Sequence, residues 1–73
     1  GKHRILHIHR NVPGIMSAIN QVFADNHINI AAQYLQTNDK VGYVVIDLDA
    51  QSSELAQHEL AQIEGTIRCR VLF

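Results

Sequence analysis

From residue 3 to residue 9, Leu6 and Ile8 alternate with His7 and His9, a period of two that predicts a strand. Asn11-Val12-Pro13-Gly14 interrupts it, and Pro13 suits the first turn of a helix, where its missing N–H is no loss. Apolar side chains then fall at Ile15, Met16, Ile19, Val22 and Phe23, one face of an α-helix. Asn26 and His27 close that helix, with Asn26 suited to a left-handed cap. A second strand is predicted from Ile28 to Thr37, a polar turn at Asn38-Asp39-Lys40, and a third strand at Val41–Asp49. In the third strand Val44, Ile46 and Leu48 face one way, and Tyr43, Val45, Asp47 and Asp49 the other. Ser52 or Ser53 is placed to cap a second helix with Leu55, Ala56, Leu60 and Ile63 on its apolar face, and Gly65 fits just past its end. Residues 66–73 form a fourth strand, with Ile67, Cys69, Val71 and Phe73 along one side.

The order β-α-β-β-α-β, with right-handed crossovers, predicts an α+β, ferredoxin-like fold: a four-stranded antiparallel sheet in the order 4-1-3-2 with both helices on one face. The second and fourth strands are then the edges. The second carries no charge and no proline between Ile28 and Thr37, whereas soluble proteins usually blunt such edges. Pairing with its own copy would give a twofold homodimer and one eight-stranded sheet. The competing account is that another domain of a longer protein covers it.

A chain of 73 residues is one domain, and it buries only about 60% of its unfolded surface, so pairing would help it. Cys69 is the sole cysteine, which rules out an internal disulfide and suits a reducing cytoplasm. Six Lys and Arg stand against seven Asp and Glu, scattered rather than clustered, so nucleic acid is not the expected partner. No apolar run reaches the roughly 20 residues of a membrane span. Residue 1 is Gly rather than Met, and the expectation is a piece of a longer chain, residues 1–73 being one regulatory domain of it.

Candidate chemistry gathers at His9-Arg10-Asn11-Val12-Pro13-Gly14. A strand that turns into a helix N-terminus offers free N–H groups and a partial positive charge to a carboxylate or phosphate. Gly14 has no Cβ to obstruct approach, and the Asn11 amide both donates and accepts, which suits a zwitterion with an ammonium and a hydroxyl. The plainer reading is that Asn11 only caps the helix. Asn29, between Ile28 and Ile30 where strands disfavour Asn, is either turn chemistry or a polar group on the dimerising edge. His3, His7 and His9 share a strand face, but they spread over about 20 Å, so only His7 and His9 could share zinc, nickel or copper unaided. Asp47 and Asp49 read as solvated side chains, Cys69 as a core group beside Ile67 and Val71, and no catalytic motif is present.

Taken together, His-x-Asn-x-Pro-Gly at residues 9–14, Asn-Ile-Ala-Ala-Gln-Tyr-Leu-Gln at 29–36, Gly-Tyr-Val-Val-Ile-Asp at 42–47 and Gly-Thr-Ile-Arg at 65–68 resemble an ACT domain. More narrowly, they resemble the C-terminal regulatory domain of bacterial D-3-phosphoglycerate dehydrogenases. That resemblance implies an allosteric module, not an enzyme by itself. L-serine would bind between two copies and inhibit an NAD-dependent dehydrogenase whose cofactor and catalytic domains lie elsewhere, in a parent tetramer. It assigns ligand contacts to His9 and Asn11 of one subunit, at the Pro13-Gly14 turn, and to Asn29 of the other. A metal-responsive domain using His7 and His9, and a dimerisation module without a ligand, are the competing readings.

Overall fold

A computed structural model describes residues 2–73. Strand β1 spans Lys2–Arg10, helix α1 Ile15–Asp25, β2 Ile30–Thr37 and β3 Val41–Asp49; a 3₁₀ turn at Ala50–Ser52 leads into α2, Ser53–Ala61, and β4, Thr66–Val71, follows. The sheet order is β2-β3-β1-β4 with every pairing antiparallel, so the expected topology holds and β2 and β4 are its edges. Ile19 and Phe23 of α1 and Ala56 and Leu60 of α2 pack with Ile5, Val44, Ile46 and Leu48, which puts both helices on one side.

The register explains the core. Ile5 pairs with Ile46 and His7 with Val44, while His9 pairs with Gly42, and all of these residues are buried. The face of β1 that lies under the helices is therefore Ile5, His7 and His9, and Leu6 and Ile8 are the half-buried residues of the open face. On that open face Arg4 forks onto Asp47, with Nε–Oδ1 at 2.6 Å and Nη2–Oδ2 at 2.8 Å, and its guanidinium lies 5.3 Å from the Phe73 ring centre. Asp47 is thus an ion-pair partner rather than a merely solvated carboxylate.

Several local expectations are corrected. The N-cap of α1 is Gly14, so Pro13 lies before the helix and not in its first turn. The left-handed residue after α1 is His27, at φ 54°, and not Asn26. Ile28 N–H then bonds the Phe23 carbonyl, so β2 starts only at Ile30 and Asn29 precedes it. Neither Ser52 nor Ser53 caps α2 through its side chain: the Ser53 hydroxyl donates backwards to the Ala50 carbonyl. Leu55 is exposed, and the buried side of α2 is Ser53, Ala56 and Leu60. Three residues, Gln62 to Glu64, separate α2 from Gly65. Between β1 and β4 the register slips, Ile8 facing Arg68 and His9 facing Thr66. That bulge turns Ile67 out to solvent, while Cys69 and Val71 keep to the core side and Phe73 is exposed.

Candidate functional site

The densest polar arrangement lies across the helix-covered face of the sheet. His7 is 0% and His9 1% exposed. Their Nδ1 atoms are 3.3 Å apart, and His7 Nε2 lies 2.8 Å from the Thr66 hydroxyl of β4, which donates in turn to the Leu60 carbonyl at 3.1 Å. Toward the other side, His9 leans over β3: a Cβ built on Gly42 would fall 2.4 Å from His9 Nε2. The bare Gly42 backbone is therefore the floor on which the outer edge of the His9 ring rests. Burial pushes both imidazoles below their usual pKa, and in His7 the neighbouring His9 adds to the effect while the nearby Leu60 carbonyl opposes it.

His9 Nε2 has no hydrogen-bond partner among the described residues, yet no wholly buried side-chain nitrogen or oxygen lacks one. The small exposure His9 retains therefore lies at Nε2. That atom stands over Gly42, whose partner in the next strand is Thr37.

The following loop is fixed from beside it. Asn11 donates from Nδ2 to the Asn38 carbonyl at 2.6 Å, and its backbone N–H bonds the Lys40 carbonyl. Asn11 is thus tied to the β2–β3 turn and does not cap α1, which excludes the plainer reading. Gly14 takes φ 89°, where a β-carbon is costly, and nothing lies within 4 Å of where one would stand. Its role is to permit the turn and to leave the helix entrance open. No side chain caps α1 and no acidic residue lies in its first turn, so its first N–H groups remain available to an anion. Pro13 and Gly14 also border a cleft of about 400 Å³ with Arg10, Ile15, Ala18, Ile63 and Glu64. Neither His9, Asn11 nor Asn29 lines that cleft.

Asn29 is elsewhere. β2 runs from Ile30, opposite Leu48, to Thr37, opposite Gly42, and His9 also pairs with Gly42. Four of the five proposed contacts thus cluster at one end of the sheet. Asn29 sits at the other, roughly 25 Å away at about 3.3 Å per residue. No single chain brings all five together. The intervening β2 is exposed along nearly its whole length, with Tyr34 at 60% and Leu35 at 47% exposure.

For a metal, the arrangement is poor. His7 and His9 spend their Nδ1 atoms on each other, and no group of three or more His, Cys, Asp or Glu side chains is positioned to hold an ion among the described residues. The Cys69 thiol is half-buried and pushed up to about 11 by desolvation, so it is no ready thiolate. No helix among those residues is long and apolar enough to cross a membrane. Gly42 and Thr66 stand in the motifs at residues 42–47 and 65–68, which assign neither of them a place at the site. The available signal was a glycine opposite a histidine on a strand whose other inward residues are large and aliphatic.

An ACT-domain family model, that of the acetohydroxyacid synthase small subunit-like type, matches residues 5–68. D-3-phosphoglycerate dehydrogenase of Haemophilus influenzae is 51% identical over 73 residues, all of this chain and 18% of that protein. The Escherichia coli K12 enzyme of the same name is 49% identical over 75 aligned positions, again across the whole chain and 18% of its own length. The chain therefore spans about a fifth of the curated relatives it matches. In three dimensions it is similar to the ACT domain of GTP pyrophosphokinase from Chlorobium tepidum, with a TM-score of 0.84 at 15% identity over 97% of this chain and 96% of that one. The acetolactate synthase small subunit of Thermotoga maritima gives 0.84 at 17%, covering 97% of this chain and 47% of that one. The family model and the fold agree, and the chain belongs to the ACT-domain family.

Proposed function

We propose that this domain is the L-serine sensor of a D-3-phosphoglycerate dehydrogenase, binding serine between two copies and inhibiting a catalytic unit elsewhere in the parent. The observation that carries the reading is the separation of the polar groups. His9, Asn11, Pro13 and Gly14 stand at one end of the sheet, Asn29 at the other, and an unblunted edge runs between them. Antiparallel pairing of β2 with its own copy about a twofold axis at Tyr34, with the register shift near Ala31 taking up one residue, sets Ile30 of one chain opposite Thr37 of the other. Asn29 then falls opposite Asn38, whose carbonyl holds Asn11. A twofold dimer thereby builds two identical sites, each from both chains. The exposed Tyr34 and Leu35 give that interface an apolar centre.

In such a site the first N–H groups of α1 face the serine carboxylate, and Asn11, His9 and the partner chain's Asn29 divide the ammonium and hydroxyl between them. The 49–51% identity to enzymes of that name supports the assignment of the parent. The parent is then an NAD-dependent, cytoplasmic tetramer, with NAD bound outside this domain. Calorimetry with serine, glycine, threonine and phenylalanine tests the reading. Serine binds most tightly, and Asn29→Ala, His9→Ala and Asn11→Ala each weaken it by about 5- to 150-fold, the effect of losing a buried hydrogen bond. Unchanged affinity in all three variants contradicts the site.

A further inference from the structure

The hydrogen bonds beneath His9 fix where its proton resides. A carbonyl only accepts, so the Thr66 hydroxyl spends its one proton on Leu60. Thr66 Oγ1 must then accept from His7, which places the His7 proton on Nε2 and leaves Nδ1 with a lone pair. His7 Nδ1 accordingly accepts from His9 Nδ1–H. In neutral His9 the remaining nitrogen, Nε2, carries a lone pair, and it is the atom that faces out over Gly42. His3 is held the same way one turn of the pattern earlier: Ser53 donates to Ala50, so His3 Nδ1–H donates to Ser53 at 2.7 Å.

We propose that His7 and Thr66 are positioning residues that present His9 Nε2 as a hydrogen-bond acceptor, so that the bound amino acid meets it with an N–H or O–H and not with its carboxylate. This rests on the ligand site proposed above. Among the described residues no buried carboxylate, Lys or Arg stands beside the pair. The buried residues of α1 are Ile15, Ile19 and Phe23, and those of α2 are Ser53, Ala56 and Leu60. β3 contributes Gly42 and Val44, and β4 contributes Thr66 and Cys69. The pKa of Cys69 is raised, so that thiol stays uncharged near neutrality. Both imidazoles are held below the usual histidine range, which keeps the acceptor available there.

Imidazole ¹H–¹⁵N correlation spectra of the labelled chain read the tautomers without any ligand. The expected result is His7 protonated at Nε2 and His9 at Nδ1. Thr66→Val, which keeps the shape and removes the hydroxyl, scrambles both tautomers and raises the serine dissociation constant about tenfold, and Thr66→Ser restores them. Serine affinity falls as the pH drops below 6.5, because a protonated Nε2 cannot accept. A His9 proton on Nε2 at neutral pH, or serine binding that tightens on acidification, overturns the proposal. If the unaltered chain binds no serine, the reading of the ligand fails, and the tautomers still decide whether His7 and Thr66 orient His9.

Discussion

Gly14 and Gly42 stand in the motifs at residues 9–14 and 42–47 for opposite reasons. Gly14 has space around it and a backbone conformation that a side chain opposes, whereas Gly42 is ordinary extended backbone with no space at all. Gly14→Ala should cost about 1–2 kcal/mol through the backbone alone. Gly42→Ala should cost about 1–3 kcal/mol by overpacking against the His9 ring. Urea denaturation measures both, and only Gly42→Ala should also shift the His9 imidazole resonances. The same pair of histidines sets an acid limit on stability. Their folded pKa values lie below the unfolded value of about 6.5, so the unfolded chain binds protons that the folded chain refuses. Stability is full above pH 6.5 and declines as the pH falls below it, and the urea midpoint followed from pH 8 to pH 5 should show that fall. At this scale the sequence is only partly legible. A period of two separates Leu6 and Ile8 from His7 and His9 without saying which set is inside, and hydropathy favours the wrong one. The histidines go in because neutral imidazoles with partners are cheap to bury.

Strands and helices were the readable level, because each apolar period is long enough to be unambiguous and Pro13, Gly14 and Gly65 punctuate them. What escaped were the places where one residue breaks the period. The bulge at Ile67 and the register shift near Ala31 depend on pairing with a neighbouring strand, which no local pattern encodes. The left-handed turn at His27, which no glycine marks, sets Asn29 before the strand. The character of β2 was legible in full: no charge, no proline, and in the fold no cover over Tyr34 or Leu35. Leu35→Lys places a charge at the proposed seam on an already exposed side chain. It should abolish dimerisation in sedimentation runs while leaving the circular dichroism spectrum unchanged. A dimer that survives Leu35→Lys would place the contact elsewhere.

For the whole molecule, a site shared between two copies, as proposed, would tie ligand binding to assembly. Serine at about 100 times its dissociation constant stabilises the state that binds it by about 2.7 kcal/mol per site. The dimer should therefore tighten in saturating serine, and by reciprocity dilute protein should bind serine more weakly. In a parent enzyme of the kind proposed, the same coupling would draw neighbouring regulatory domains together and restrain motion between them and the catalytic units. Sedimentation across a dilution series, with and without serine, reads this coupling.

The claim that each site takes residues from two chains is tested most directly by mixing two defective variants. Asn11→Ala homodimers lack one half of every site and Asn29→Ala homodimers the other, so each alone binds serine weakly. A mixed dimer holds one site with both defects and one with neither. Random pairing then restores full-affinity binding at about one quarter of all sites in an equimolar mixture. Calorimetry of the mixture should find that fraction. A mixture that binds no better than its two components would mean that the residues act within one chain, and would contradict the shared-interface account.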